Sequence, residues 1–327
     1  MIGRIILKKL RNNFPYLYAR YSYYKRTGRN LSYRNPQDLN EKLFWLNRYW
    51  QDRRIVEYSD KVAVRDYIKS KGYEHLLTKH YGVYKSVDEI NFHTLPNQFV
   101  LKTNNSGAGW FISICKDKKT YNTESAKFLM AHGLKDVPGV QVADYQYQYI
   151  EPKIIAEEFL PNDGDNPRYE IQFFCFNGKA KHILVRNDLG DASKFSFAIS
   201  YDTNWNRVKD RWNEDLSINV SRPVDLEKMI EIANSLAAPF PHVRVDLYYW
   251  LGEGRITFGE LTFTTSGKVL SNYKESTLKQ WGDELILPDK ISLKWKDQFP
   301  SWQQFRDSVV IPSEIETDWN INKRLNM

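Results

Sequence analysis

Apolar positions along the chain switch repeatedly between a helical and an alternating period. Between Leu39 and Trp50 they recur at Leu43, Leu46 and Trp50, which predicts a helix. Ser59-Asp60 can cap a second helix, with Val64, Tyr67 and Ile68 inward and Gly72 ending it. Residues 73–96 are mixed, with a short apolar start at Leu76-Leu77. Gln98-Phe-Val-Leu101 reads as a strand. It runs into the small polar loop Lys102-Thr-Asn-Asn-Ser-Gly-Ala-Gly109 and returns as Trp110–Cys115. Lys153–Leu160 supplies another strand, and residues 161–167 form a loop by composition. Tyr169–Phe176 alternates, turns at Asn177-Gly178 and continues through Lys181–Val185. A helix beginning at Pro223 has Leu226, Met229, Ile230, Ala233, Leu236 and Ala237 inward. Two β-rich runs, Val243–Trp250 and Arg255–Phe263, then flank the turn Leu251-Gly-Glu-Gly254, and short amphipathic pieces follow in 290–327. This order predicts an α+β fold with mainly antiparallel sheets.

The chain of 327 residues is long enough for about two domains. Cys115 and Cys175 lie far apart in apolar runs, and neither they nor the six histidines show zinc spacing, so buried free thiols are expected. No apolar run reaches the length of a membrane span, and Ile5-Ile-Leu7 is too short for a signal-peptide core; a cytoplasmic protein is expected. The net charge of +7 is concentrated at the N-terminus. Residues 1–34 hold nine Lys/Arg and no acid, whereas the remainder holds 38 basic and 40 acidic residues. Phe14, Tyr16, Tyr18, Tyr21, Tyr23, Tyr24 and Tyr33 are interleaved with those charges. Such an arm suits an anionic membrane surface at the inner face of the cell membrane, or a helix docked on the body with its charges in water. No nucleic-acid fold signature follows it, so a nucleic-acid partner is not expected.

The candidate chemistry begins with Asp246 and Glu260. Each sits in one strand of the hairpin, and two carboxylates held side by side suit a hard cation that keeps room for phosphates. Arg244, two residues before Asp246, projects from the same face. Taken alone, the hairpin reads equally as a metal site or as half-buried structure with surface acids. Asn104, Asn105, Ser106, Gly107, Ala108 and Gly109 can lay backbone N–H groups over phosphate oxygens, and Lys102 supplies a point charge beside them. The loop has neither Walker nor dinucleotide glycine spacing. Glu157 and Glu158 are adjacent on a strand, so they point to opposite faces.

In this order, these pieces resemble the ATP-grasp superfamily. They are the Asp60-Lys61 helix start, Phe99-Val-Leu-Lys102 with its loop, Ala156-Glu-Glu-Phe-Leu160, Arg244-Val-Asp246 and Glu260-Leu-Thr-Phe-Thr-Thr-Ser-Gly267. Asn40-Glu-Lys42, Ser59–Arg65, Phe174-Cys-Phe-Asn-Gly178 and Phe258-Gly-Glu-Leu-Thr-Phe263 are most similar to its TupA-like, teichuronopeptide-biosynthesis branch, over roughly residues 38–285.

The resemblance implies two α+β lobes clasping ATP. Lys61 and Lys102 would contact its phosphates under a lid formed by Asn104, Ser106, Gly107 and Gly109. Glu157 or Glu158 would hold adenosine. Asp246 and Glu260 would bind Mg²⁺, and Arg244 would stabilise the transferred phosphoryl group. Where many ATP-grasp ligases have Glu-x-Asn, this chain has Glu260-Leu-Thr262, which leaves a second metal ion a weaker ligand. Expected lobe boundaries are 1–37 for the basic arm, 38–96 for an N-terminal part, 97–167 and 168–289 for the two ATP-grasp lobes, and 290–327 for the tail. The implied activity is an ATP-dependent carboxylate–amine ligase acting through an acyl phosphate. Its partners would be a small-molecule or glycan carboxylate, such as a uronic acid of a cell-surface polysaccharide, and an amine. A sugar or polyol kinase and a metal-dependent glycosyltransferase are the alternatives.

Overall fold

In the computed structural model, residues 7, 10, 11, 13–107, 109–162, 167–188, 195–212 and 217–312 are described. Ala108, residues 163–166 of the loop expected at 161–167 and residues 313–327 of the tail lie outside them. The helices are α1 (Pro15–Thr27), α2 (Leu39–Tyr49), α3 (Arg53–Ser59), α4 (Val64–Ser70), α5 (Thr123–Lys135), α6 (Leu226–Ala237) and α7 (Glu275–Glu284). Two short helices, Trp295–Gln298 and Gln303–Ser308, follow. The strands are β1 (His80–Tyr84), β2 (Phe99–Thr103), β3 (Ile112–Cys115), β4 (Ile154–Glu158), β5 (Arg168–Phe176), β6 (Lys179–Asp188), β7 (Phe195–Asp202), β8 (Arg207–Val208), β9 (His242–Trp250) and β10 (Arg255–Thr262).

They form two sheets, ordered β1-β4-β2-β3 and β10-β9-β5-β6-β7-β8. Every ladder is antiparallel, as the alternation of the sequence predicts. The Asn177-Gly178 turn has positive φ at both residues (52° and 78°), which matches the right-handed twist of β5 and β6. Each sheet has its own core. The smaller gathers Phe99, Leu101, Ile154 and Ala156 under Phe128, Leu129 and Met130 of α5. The larger gathers Phe173, Val185, Val245 and Leu247 under Met229, Ala233 and Leu236 of α6, and continues into α2.

Local chemistry explains the helix starts. Asp38 caps α2 by accepting from Glu41 N at 2.9 Å, and the Glu41 side chain accepts from Gln37 N at 2.7 Å. Caps of this kind contribute about 1 kcal/mol each. Asp52 caps α3 in the same way through Arg54 N.

Several elements go beyond the sequence reading. β1 comes from the stretch read as mixed and pairs with β4, so it belongs to the same sheet as the glycine loop's strands. α3, α5 and β7 had no assigned counterpart. In α6, Ile232 is buried and Ile230 only half-buried. The two flank the apolar stripe on opposite sides, and the sheet covers the Ile232 side. Cys115 and Cys175 are buried free thiols.

Candidate active site

The β9–β10 hairpin sets the site through one irregularity. Phe258 stands opposite Leu247, but Glu260, not Gly259, stands opposite Asp246. Gly259 is therefore the extra residue of a β-bulge, which exchanges the two faces of β10 at that point. Before it, Ile256 and Phe258 face the core; after it, Leu261 and Phe263 do. Glu260 and Thr262 are thereby moved to the face that carries Asp246 and Arg244. A Cβ on Gly259 would stand 3.0 Å from the Asp246 carbonyl oxygen and 3.4 Å from Tyr248 Cε2, so the close approach of the two backbones requires glycine.

On this face Arg244 grips Asp246 with both arms. Its Nε donates to Oδ1 at 2.7 Å, and its Nη2 donates to Oδ2. Nη2 also reaches Thr262 Oγ1 at 3.1 Å and Glu260 Oε1 at 3.4 Å, and Thr262 Oγ1 donates to Glu260 Oε1 at 2.8 Å. Gln172 and Glu170, alternate residues of β5, extend the polar face: Gln172 Nε2 donates to Glu170 at 2.7 Å and lies 3.5 Å from Asp246 Oδ2. Asp246 is only 2% exposed, whereas the Glu260 side chain is 33% exposed and opens toward Lys61, whose Nζ lies 3.7 Å away.

Lys61 arrives from the turn before α4 and is held there by the glycine loop. Its Nζ donates to Ser106 O at 2.5 Å, and its backbone N donates to Asn104 O at 3.2 Å. Asn104 is a fully buried bracket. Its Nδ2 donates to Asp60 Oδ1 at 2.8 Å and Glu151 O at 2.9 Å, and its Oδ1 accepts from Lys153 N at 2.8 Å. Ser106 Oγ is likewise engaged inside the loop, 2.8 Å from Thr103 Oγ1 and 3.0 Å from Trp110 O. Gly107 accepts from Trp110 N, and Gly109 has φ of 73°. Asn105 is fully buried, and its side-chain amide has no partner among the described residues.

Lys102 of β2 meets Glu157 of β4 at 2.5 Å. Glu157 also accepts from Thr78 Oγ1 at 3.3 Å and lies 3.8 Å from His80. Burial, then Arg65, pushes His80 down to about 4, so at neutral pH it is an uncharged neighbour. Glu158 faces the other way and pairs with Arg255 at 3.0 Å. The structure thus gathers Lys61, Lys102, Glu157, Arg244, Asp246, Glu260 and Thr262 in one charged cluster between the two sheets. It leaves Glu158 outside and commits the side chains of Asn104 and Ser106 to the loop itself.

The charges act on one another across this cluster. Burial alone would lift Glu260, but Lys61, Arg244 and Lys102 more than reverse it and hold the carboxylate below its ordinary range. Burial pushes Lys61 down against the pull of Glu260. Burial also pushes Asp246 up against Arg244, while Arg244 itself is raised because its carboxylate partners outweigh burial. Two charge-assisted bonds from Arg244 oppose the rise at Asp246 and favour the ionised pair.

Tyr147 was invisible to sequence reasoning. It comes from the helical turn Tyr145–Tyr149, and its hydroxyl lies 3.8 Å from where a Cβ on Gly107 would stand. Burial, then Glu260, raises its phenol. Gln172 and Glu170 left a signal: two polar residues at alternate positions in an otherwise apolar strand.

The donor set suits a hard cation that brings ligands of its own. Asp246, Glu260 and Thr262 present oxygen atoms on one face, in the two-carboxylate arrangement that Mg²⁺ shares with phosphates. Among the described residues no group of three or more His, Cys, Asp or Glu could form an all-protein cage. The three cations and three carboxylates of the cluster already neutralise one another, so a polyanion carrying a cation can enter by exchange of partners.

The family model described as TupA-like ATPgrasp matches residues 41–286. A search of the curated proteins returns no match. Among solved structures, the chain is similar to D-alanine–D-alanine ligase from Bacillus anthracis, at 13% identity and a TM-score of 0.40, covering 70% of this chain and 64% of that one. It is also similar to an L-amino acid ligase from Bacillus licheniformis, at 14% identity and 0.42, covering 74% and 50% respectively. The chain thus spans less than two thirds of the length of either structure.

Proposed function

The chain belongs to the TupA-like ATP-grasp family, and from that premise we propose that it is an ATP- and Mg²⁺-dependent carboxylate–amine ligase. Its carboxylate substrate is a uronic acid or amino acid used in building a cell-surface polysaccharide. The observation that carries this reading is the meeting of Lys61, Lys102 and Arg244 with Glu157, Asp246 and Glu260.

A carboxylate is a poor electrophile. Transfer of the γ-phosphoryl group from ATP to a carboxylate oxygen gives an acyl phosphate and ADP; an amine then attacks the carbonyl carbon and phosphate leaves. Such a sequence asks the protein for alignment and charge stabilisation more than for covalent chemistry. Lys61 and Lys102 would exchange Glu260 and Glu157 for phosphate oxygens. Arg244 would stabilise negative charge on the transferred phosphoryl group through its guanidinium donors. Asp246, Glu260 and Thr262 would hold Mg²⁺, which when bound neutralises charge on the β- and γ-phosphates. Thr262 is a weaker ligand than an amide, which favours one tightly held ion over two.

The test needs no knowledge of the natural amine. Purified protein is incubated with Mg²⁺-ATP, a panel of uronic-acid oligosaccharides and amino acids, and hydroxylamine as a general nucleophile. The proposal expects a hydroxamate together with equal amounts of ADP and phosphate. ADP without free phosphate would identify a kinase, and no ADP with any carboxylate would overturn the ligase reading.

A further inference from the structure

We infer that α1 is a docking surface for an anionic lipid bilayer. This inference is independent of the ligase reading. The body-facing side of α1 is firmly anchored: Tyr23 is buried edge-on against Phe44 with ring centroids 5.5 Å apart, and Tyr18 Oη donates to Gln141 O at 2.7 Å. Arg26 donates to Gly267 O at 2.7 Å, Ser266 O at 2.8 Å and Val269 O at 3.1 Å. Among the described residues nothing covers the opposite side. Phe14 (57%), Leu17 (55%), Tyr21 (37%) and Tyr24 (54%) are all exposed, while the other exposed large apolar side chains among the described residues are scattered over the chain.

At about 100° per residue, Tyr24, Leu17 and Tyr21 fall within an arc of about 60°, and the exposed N-cap residue Phe14 stands at the start of the same helix. Exposed Arg20 borders that arc on one side and exposed Lys25 on the other. Two tyrosines about a leucine, with a phenylalanine at the helix start and a cation on each border, make the cross-section of a helix lying in the headgroup region. The charge balance selects this occupant. Residues 1–34 contain no acid, so a second copy seated on this face would bring the cations of both helices together without compensation. A negatively charged lipid surface supplies that compensation. Arg26 ties the other side of the same helix to the turn after β10, so α1 stands between a docked bilayer and that turn.

Full-length protein is sedimented with vesicles of phosphatidylcholine alone and of phosphatidylcholine mixed with phosphatidylglycerol. Binding is expected only to the mixed vesicles, and should weaken as salt is raised. Arg20→Glu and Lys25→Glu should each weaken partition by at least about fivefold. Phe14→Ser combined with Leu17→Ser should weaken it too. All these side chains are exposed, so melting temperatures should not change. Equal binding to neutral and anionic vesicles, or equal binding by the variants, would overturn the inference. So would a dimer that Leu17→Ser dissolves, or tighter binding to a DNA oligonucleotide than to the vesicles.

Discussion

Replacing Gly259 with alanine tests how finely the β-bulge sets the site. The added Cβ would meet the Asp246 carbonyl oxygen at 3.0 Å and Tyr248 Cε2 at 3.4 Å. Relief requires β10 to move from β9 by a few tenths of an ångström. Overpacking of this size costs about 1–2 kcal/mol of stability. The catalytic loss should be larger than that figure suggests, because Glu260 and Thr262 follow directly and depend on the bulge for their face and distance. A misplacement of about 1 Å costs on the order of a hundredfold in rate, so a few tenths should cost about three- to tenfold in kcat. Urea unfolding measures the first quantity and steady-state ADP release the second. Full activity at unchanged stability would refute the reasoning, since the bulge would then tolerate a side chain that its geometry excludes.

Two further predictions concern stability. Lys268 and Asp144 form a buried ion pair beneath the turn after β10, and Lys268 also donates to Val142 O at 3.1 Å and Ala143 O at 3.0 Å. Lys268→Met should cost about 3–5 kcal/mol by leaving the carboxylate unpaired, and adding Asp144→Leu should recover much of it; additive losses in a double-mutant cycle would contradict the pairing. Burial pushes His242 down to about 3 from its ordinary 6.5, so between those values the unfolded chain binds the extra proton and stability falls as pH falls. The wild type should lose about 1.4 kcal/mol per pH unit more than His242→Gln between pH 6 and pH 4, and parallel stability curves would show that His242 titrates normally in the folded protein.

The hairpin that carries the site was readable because β9 alternates without a break, with Val243, Val245, Leu247 and Tyr249 on one face. Even the bulge left a mark: apolar residues at 256 and 258, then at 261 and 263, with a glycine where the phase slips. The opposite orientations of Glu157 and Glu158 followed from strand geometry alone, and the two do pair with different partners. The bracket around Asn104 was not readable, because it joins Asp60, Glu151 and Lys153 across more than forty positions of chain. A loop that reads as a flexible polar lid is partly a fixed support for Lys61. α5 was missed because it is covered on two sides, by β2 and β3 and by the helix Gln303–Ser308. Its apolar residues therefore spread beyond one stripe. β1 was missed because it is only half-buried, so its pattern is weak. Tyr147 reaches the cluster from a segment with no regular period at all.

The central claim is that the cluster between the two sheets is where nucleotide phosphates bind. Its most direct test is calorimetric titration of Mg²⁺-ATP into the wild type, Lys61→Ala and Lys102→Ala. Each lysine is predicted to contribute a charge-assisted contact, so either variant should bind about tenfold to a hundredfold more weakly while retaining its fold by circular dichroism. Unchanged affinity in both variants would contradict the account.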